Sequence, residues 1–389
     1  MNLIIEGDIL DESDLILLCA YALKVEDSLT DKIFNKLHYA FSQAPINSLK
    51  NTEKCIQFLS GFQPMHYHYC LSSCICYTSS YEALTKCPKC NIDCYRTDGT
   101  TPQAYFEYLS ITVHLCVILA SSSYTRKMQY WSNHKDDPIK LTNIFDSTHY
   151  CSLWEIFITI SNEELPTWFF SNPHDITLGL STDGFGPFKC HTKTAWPVIL
   201  FNYNLPPKEW FLKRNIILIG VIPGTNKPGD LDSSLWPLVQ ELLQLKIGVS
   251  VFDAIMKTVF LLHAFLIVVF GDIPAVLMIM CMKGHNAISP CCMCTIKGVC
   301  IPSSWVMVHY VPLCCNNFPD PQNQYNPSLL PLWNHASFME QAKEVQYVPS
   351  NMDSLCLAIK YGIKCVPLLS TLSSLSFPVS FSYDFMHLI

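Results

Sequence analysis

Charged residues are scarce in this chain, and basic residues are the scarcer kind. Lys, Arg, Asp and Glu make up 15% of the 389 residues, and the formal net charge is −7. Neutralisation of phosphates by Lys and Arg supplies most non-specific affinity for nucleic acid, so this balance excludes a protein that binds DNA through its overall charge. The 50% of hydrophobic residues excludes a disordered chain and predicts two or three domains with a buried core.

Basic residues do cluster in one place. Lys208, Lys213 and Arg214 alternate with Trp210 and Phe211, a mixture of charges and aromatic rings that suits nucleic-acid binding. A solvated face beside a packed tryptophan explains the same pattern equally well. The sequence leaves both interpretations open.

Signals for secretion are missing. Acidic residues crowd the N-terminus and no basic flank precedes an apolar segment, so we expect no signal peptide. The Asn326-Pro-Ser match to a glycosylation acceptor is disqualified by its proline. The 20 cysteines are therefore interpreted as intracellular thiols, many of them core residues, including Cys281 and Cys365, to which we assign no role.

A membrane span is not expected either. The most apolar stretch, Val259 to Met282, has about the length of a span, but His263, Gly271, Asp272 and Pro274 interrupt it. We interpret it as a helix or strand that leads into a buried strand.

Two common enzyme motifs are also absent. No Gly-x-Ser-x-Gly elbow occurs, so serine hydrolase chemistry has no support. Gly224 and Gly229 have the spacing of a phosphate loop, but Asp230 and Leu231 stand where Lys and Ser or Thr are needed. We interpret this segment as a turn before a helix that Asp230 or Asp232 caps.

Two aspartates each stand where a short apolar run ends. Asp183 and Asp272 follow runs bounded by turn residues, which are typical of buried strands, so both carboxylates are expected at strand ends. Two more strands are predicted between them, Trp196 to Asn202 and Asn215 to Val221, with a helix from Leu231 to Leu245. This order predicts a mixed sheet whose first and fourth strands lie side by side and bring both acids to one cleft.

Two converging carboxylates suit a pair of hard divalent cations. Mg²⁺ or Mn²⁺ prefers oxygen ligands, and two such ions clamp the attacking and leaving oxygens of a phosphoryl group. Phosphodiester cleavage or strand transfer is the chemistry that follows. The alternative is structural, because Asp183-Gly184 and Gly271 to Pro274 are also ordinary turn sequences.

The amino-acid sequences of six segments resemble those of the CACTA-type (En/Spm) transposases found in fungal genomes. The resemblance extends from about Tyr69 to the C-terminus. The resemblance implies a ribonuclease-H-like core that cuts and joins DNA with a DDE triad and divalent metal. In that reading Asp183 is similar to the first acid and Asp272 to the second. The segments are Asp175-Ile-Thr-Leu-Gly-Leu-Ser-Thr-Asp-Gly-Phe185, Thr194-Ala-Trp-Pro-Val-Ile-Leu-Phe-Asn-Tyr-Asn-Leu-Pro-Pro207, Ile219-Gly-Val-Ile-Pro-Gly224, Leu231-Asp-Ser-Ser-Leu-Trp-Pro-Leu-Val239, Phe270-Gly-Asp-Ile-Pro-Ala275 and Lys283-Gly-His-Asn-Ala-Ile-Ser-Pro-Cys291.

The third acid has no match in this chain. The resemblance places it on a helix downstream of a segment similar to Tyr383-Asp-Phe-Met-His-Leu388, and the sequence stops at Ile389. We therefore expect a truncated transposase with impaired catalysis, because one metal would lack a fixed ligand. The remaining downstream acids, Glu340, Glu344, Asp353 and Asp384, lie in no motif that matches the missing glutamate.

A cysteine cluster upstream of the aspartates carries the clearest metal signal. Cys70 and Cys74, then Cys87 and Cys90, have the spacing of two knuckles that supply four thiolates to one Zn²⁺. Cys76 and Cys94 are spare thiols that could replace the first pair. The resembling transposases carry a similar zinc ribbon before their catalytic core; chance clustering in a cysteine-rich chain is the alternative.

A second pair, Cys291 and Cys294, looks like half of another zinc site. In related DDE enzymes histidines near the end of an insertion complete such a pair, and the resemblance makes His387 the candidate here. His285 and Cys300 are alternatives nearer in sequence.

These assignments predict an α/β protein in five parts: a helical region at 1–60, a zinc ribbon at 65–96, a mostly helical bridge at 97–170, the ribonuclease-H-like core at 171–290, and an insertion with a truncated C-terminal part at 291–389. The function implied is a nuclear transposase that acts on DNA at transposon ends, with homo-oligomerisation left open. The alternative is a non-catalytic zinc-ribbon module that binds DNA or protein.

Overall fold

A computed structural model describes residues 11–134, 140–160, 163–187, 193–224, 227–284, 287–300, 309–311 and 325–383. Its helices are α1 (Glu12–Glu26), α2 (Asp31–Ala40), α3 (Leu49–Ser60), α4 (Ile111–Leu119), α5 (Ser122–Met128), α6 (Thr148–Leu153), α7 (Leu231–Ile247), α8 (Ile273–Ile279), α9 (His335–Tyr347) and α10 (Asn351–Tyr361). Its strands are β1 (Met65–Tyr69), β2 (Ala104–Tyr108), β3 (Phe157–Ile160), β4 (Glu163–Trp168), β5 (Ile176–Thr182), β6 (Thr194–Asn202), β7 (Ile217–Gly224), β8 (Val249–Asp253), β9 (Thr258–Leu262), β10 (Ala264–Gly271), β11 (Val299–Cys300), β12 (His309–Tyr310) and β13 (Phe381–Tyr383).

A seven-stranded mixed sheet forms the centre of the protein. Its strand order is β1-β2-β7-β6-β5-β10-β13. Strand β6 is antiparallel to both β5 and β7, whereas β10 is parallel to β5 and β13 is parallel to β10. The prediction of a mixed sheet with its first and fourth strands side by side is confirmed, because β5 and β10 pair directly.

Strands β5 and β10 are buried on both faces, which explains their continuous apolar sequences. Ile176, Leu178 and Leu180 of β5 are fully buried, and every residue of β10 is buried or half-buried. Parallel strands covered on both sides characteristically read as apolar runs rather than as alternating patterns. This burial holds in place the two strands that Asp183 and Asp272 directly follow.

Helix α7 covers one face of the sheet, and its predicted existence and apolar stripe are confirmed. Asp230 is the residue that caps it, because its Oδ1 accepts a hydrogen bond from the Ser233 amide at 3.1 Å. The stripe packs into the main core, and burial of each such leucine contributes about 1.5–3 kcal/mol. Its members are Leu231, Leu235, Leu238, Leu242 and Leu245.

The stretch 97–170, expected to be mostly helical, also supplies three strands. Strand β2 joins the main sheet between β1 and β7, and β3 pairs with β4 in a separate hairpin. Strand β2 is short and its Tyr105 and Glu107 face solvent, so its apolar signal is weak. Tertiary pairing with β1 and β7 decides its conformation.

The apolar stretch that resembled a membrane span contains most of β9, all of β10 and α8. Within the described residues, the structure contains no helix that combines the length and the apolar character needed to cross a bilayer.

Candidate functional site

Asp183 lies immediately after β5, at the carboxyl end of that strand. Its side chain is exposed, and Oδ1 accepts a hydrogen bond from the Gly184 amide at 2.6 Å. Glycine is required at the next position because a Cβ there would overlap the ring of Trp196. The turn therefore holds Asp183 against the sheet edge.

Asp272 lies immediately after β10 and begins α8. Its Oδ1 caps that helix by accepting a hydrogen bond from the Ala275 amide at 2.7 Å. Asp272 is half-buried. It lies at the same sheet edge as Asp183, because β5 and β10 are parallel and Ser181 pairs with Phe270. Carboxyl ends of parallel neighbours meet at one edge, which is where ligands bind in open α/β sheets.

The two aspartates line one open cleft of about 570 Å³. The structure thus brings together the two acids that the sequence predicts would converge. Among the described residues, no other carboxylate lines this cleft. The other lining residues are Ser181, Tyr203, Phe211, Val268, Phe270, Gly271, Ser382 and Tyr383.

The donor set of the cleft fits a hard divalent cation. Each aspartate uses Oδ1 for a backbone amide, and within the described residues Oδ2 of each accepts no hydrogen bond. Carboxylate oxygens are the ligands that Mg²⁺ and Mn²⁺ prefer, and open positions for water or phosphate oxygens are also needed. Asp183 and Asp272 are therefore the residues that would hold such an ion.

Of the downstream acids, the three that the structure describes, Glu340, Glu344 and Asp353, do not line the cleft. Glu340 and Glu344 are on α9, and Glu344 accepts a hydrogen bond from the Tyr361 hydroxyl at 2.8 Å. Asp353 lies in the first turn of α10. Asp384 lies outside the described residues.

Four thiols converge at the predicted ribbon. The sulfurs of Cys70, Cys74, Cys87 and Cys90 all lie within 4.8 Å of one another, and Cys70 Sγ is 3.4 Å from Cys90 Sγ. Tetrahedral coordination at Zn–S bonds of 2.3 Å places sulfurs about 3.8 Å apart, so the arrangement fits one Zn²⁺. The structure therefore selects the first pair that the sequence left uncertain.

The two spare thiols have other neighbours. Cys76 Sγ lies 3.5 Å from the His68 carbonyl oxygen, and its amide donates to Ser233 Oγ at 2.9 Å. Cys94 Sγ lies 3.8 Å from His68 Nδ1. Neither belongs to the four-thiol group.

Tight turns aim the four sulfurs at one point. The Ser73 amide donates to the Cys70 carbonyl at 2.8 Å, and the Asn91 amide donates to the Cys87 carbonyl at 2.8 Å. Ser73 and Asn91 both adopt positive φ, 60° and 59°. Asparagine enters this left-handed region more readily than most residues, which suits the second turn.

The pKa values of the four thiols differ. Burial and the neighbouring thiols raise the pKa of Cys74 to about 12, whereas for Cys90 the effect of burial is outweighed by hydrogen bonds, which lower the pKa to about 7. Because zinc binds thiolates, a Zn²⁺ at this point would supply the positive charge that makes deprotonation favourable.

The ribbon is joined to the core by direct hydrogen bonds. Tyr81 donates to Asp230 Oδ2 at 2.9 Å, Lys89 Nζ donates to the Gly229 carbonyl at 2.9 Å, and the Gly229 amide donates to the Ser73 carbonyl at 2.8 Å. The ribbon therefore packs against the turn that precedes α7.

The second cysteine pair is only partly described. Burial raises the pKa of Cys294 to about 12, and Cys291 Sγ accepts a hydrogen bond from the Met293 amide at 3.4 Å. Burial, with the neighbouring Cys291, also raises the pKa of Tyr383 to about 12. The candidate ligands His387 and His285 and the side chain of Cys300 lie outside the described residues.

Sequence reasoning missed the polar contacts of Asp232 in the first turn of α7. The Oδ2 atom of Asp232 accepts from the Leu368 amide at 3.0 Å and from Cys281 Sγ at 3.4 Å, while its Oδ1 is buried and has no hydrogen-bond partner among the described residues. Cys281 forms a side-chain hydrogen bond with Cys365, and this contact lowers the pKa of Cys365. These residues line a cavity of about 990 Å³, and no local motif signals a group assembled from three distant segments.

Comparison with known proteins gives one family match. Residues 152–311 match the family model described as transposase family tnp2. No curated protein matches the chain. The matched segment contains β5 to β10 and both aspartates, and it supports a transposase.

Proposed function

We propose that this protein is a DDE-type DNA transposase of the CACTA kind that uses Asp183 and Asp272 as ligands for Mg²⁺ or Mn²⁺. The observation that carries the proposal is the position of the two carboxylates at the ends of adjacent parallel strands in one cleft. The family match over residues 152–311 includes both of them.

The sheet supports a ribonuclease-H-like core within this proposal. Strands β7, β6 and β5 are antiparallel, and β10 and β13 extend the sheet in parallel from β5. In such a core the acids lie at the ends of the first and fourth strands, which here are β5 and β10.

The chemistry expected of the cleft is phosphodiester cleavage and transfer. Asp183 and Asp272 would hold the divalent cations, which when bound would supply positive charge to stabilise the oxygens that react in phosphodiester cleavage. The helix cap at Asp272 and the turn at Gly184 orient the two carboxylates before DNA binds. The DNA substrate would place the protein in the nucleus during its activity.

The described residues bring no third carboxylate to the cleft. A DDE site requires three acids, and the described residues supply two of them, so we expect weak cleavage from these two alone. An ion held by two carboxylates lacks the fixed geometry that in-line attack needs.

A second candidate function is a zinc-stabilised binding module without phosphoryl chemistry. The convergence of four thiols within 4.8 Å favours it independently of the aspartates. In that case the ribbon at 65–96 would contact DNA or protein, and the acid pair would be inert.

Titration of the zinc-loaded protein with Mn²⁺ by calorimetry separates the two functions. We expect specific binding by the wild type and its loss in Asp183→Ala with Asp272→Ala. The matched control is Glu340→Ala with Asp353→Ala, which removes two exposed acids outside the cleft. Equal Mn²⁺ binding by all three proteins would contradict the proposed metal site and favour the binding module.

A further inference from the structure

The segment between β6 and β7 contributes Tyr203 and Phe211 to the lining of the aspartate cleft, and its residues 207–215 form a turn. Trp210 anchors this turn, because it is buried and its Nε1 donates to the Tyr203 carbonyl at 3.1 Å. Its ring also packs edge-on against Tyr203 at 4.8 Å between centroids. The backbone of the turn is therefore fixed relative to the sheet.

Phe211, the next residue, is displayed in the cleft instead of being buried. Its side chain is 60% exposed, although it lines the same cleft as Asp183 and Asp272. The ring is supported from below by Phe201 and Phe270, at centroid distances of 5.1 and 6.4 Å. A supported aromatic ring with a free face offers a surface for stacking.

The residues around Phe211 carry positive charge. Lys208, Lys213 and Arg214 are exposed. The acidic residue within the turn, Glu209, is buried and pairs with Lys127 at 2.9 Å, and this hydrogen bond lowers the pKa of Glu209. Within the described residues Lys208, Lys213 and Arg214 form no salt bridge, so the turn presents positive charge on a protein of net charge −7.

We propose that this turn, residues 207–215, is a docking site for single-stranded DNA, with Phe211 stacking on an unpaired base beside the phosphate held at the aspartates. The inference rests on the proposed function and deepens it. Exposed aromatic rings flanked by Lys and Arg recognise single strands, because each base offers a π-face while the cations neutralise phosphates. Bases within a duplex are already stacked, so an unpaired base is the matching partner.

Binding of an oligothymidylate strand that carries 2-aminopurine tests the stacking. We expect wild-type protein to quench the 2-aminopurine fluorescence and Phe211→Leu to abolish the quench and weaken binding about 5- to 150-fold, which is the loss of one base–aromatic contact. Phe58→Leu, which alters an 83% exposed phenylalanine on α3, is the matched control and should behave as wild type. Wild-type quenching and affinity in Phe211→Leu would overturn the proposal.

The salt dependence of the same binding tests the charges. Replacement of Lys208, Lys213 and Arg214 by Gln should reduce the slope of log affinity against log salt by about 2, since each phosphate contact on a single strand contributes about 0.7. Lys50→Gln with Lys54→Gln, exposed on α3, is the control. An unchanged slope in the triple variant would refute phosphate contacts by the turn.

The proposal of a metal site and the proposal of a docking site can be rejected independently of each other. Asp183→Asn with Asp272→Asn removes the metal ligands but leaves the turn intact, so this variant should still quench 2-aminopurine. Absence of Mn²⁺ binding together with retained quenching would reject the metal site alone. Retained Mn²⁺ binding with no effect of Phe211→Leu would reject the docking site alone.

Discussion

At the scale of single residues, Asp272 has two candidate roles that one pair of substitutions separates. It caps α8 through Oδ1, and we propose that it binds a cation through its other oxygen. Asn caps helices about as well as Asp, whereas Ala does not and costs about 1 kcal/mol. We expect Asp272→Asn to keep the unfolding free energy and lose Mn²⁺ affinity, and Asp272→Ala to lose both.

Urea denaturation and calorimetry on both variants provide the measurement. Ser350→Ala, which removes the cap that Ser350 provides to α10 through the Asp353 amide, is the control for loss of a cap without loss of an acid. If Asp272→Asn bound Mn²⁺ as well as wild type, Asp272 would be a capping residue only.

The sequence could predict where the two aspartates lie because each follows a run of apolar residues long enough to be a buried strand. It could not predict that, within the described residues, one oxygen of each carboxylate accepts no hydrogen bond, nor that the ring of Phe211 is exposed, because these depend on packing across the sheet. It also left the first cysteine pair open. Spacing alone cannot distinguish Cys70 and Cys74 from Cys76 and Cys94, whereas in the structure the turn at Ser73 brings Cys70 and Cys74 to the second pair.

At the scale of elements, the ribbon is predicted to depend on its metal. Its small core consists of buried cysteines with Ile75 and Tyr77, which is too little apolar surface to hold the four thiols, two of them buried, in place. Cys87→Ser should therefore abolish stoichiometric zinc and lower the melting temperature, because metal binding energy contributes directly to folding. Cys94→Ser, the same change in the same ribbon outside the cluster, should retain the zinc.

Metal analysis and thermal melting of both variants check this prediction. Retention of one zinc per chain by Cys87→Ser, or equal loss in both variants, would exclude the four-thiol site.

Local pattern predicted the long elements and missed the short ones. The leucine stripe indicated α7, and apolar runs indicated β5, β6, β7 and β10 within a few residues. Strand β13 contains three residues, and β2 pairs with β7 at Tyr108 and Gly220. Such short strands carry no periodicity, and they are strands because a neighbouring strand offers its free edge.

At the scale of the whole molecule, Asp232 makes stability depend on pH. Burial raises its pKa to about 6 from the usual 3.8. The native state therefore holds a proton that the unfolded state has lost between about pH 4 and pH 6, so the contribution of this group to stability falls as pH rises through that interval. Above pH 6 the full penalty of a buried charge applies.

Asp232→Asn removes this dependence because the amide has no charge to bury. Relative to wild type, the variant should gain about 1–3 kcal/mol of unfolding free energy between pH 4 and pH 7. Urea denaturation at several pH values measures it, with Asp353→Asn on the exposed first turn of α10 as the control. A constant difference across the range would contradict the prediction, because it would show that the pKa of Asp232 is the same in the native and unfolded states.

The parallel pairing of β5 with β10 has a consequence for synthesis of the chain. Strand β5 ends at Thr182, and its partner begins only at Ala264. Ribosomes add about 5–20 residues per second, so the inner edge of β5 waits on the order of 5–20 s for its neighbour. During that interval a nascent chain displays the bare edge of its most apolar strands, and chaperone binding or aggregation would occur then, before the cleft exists.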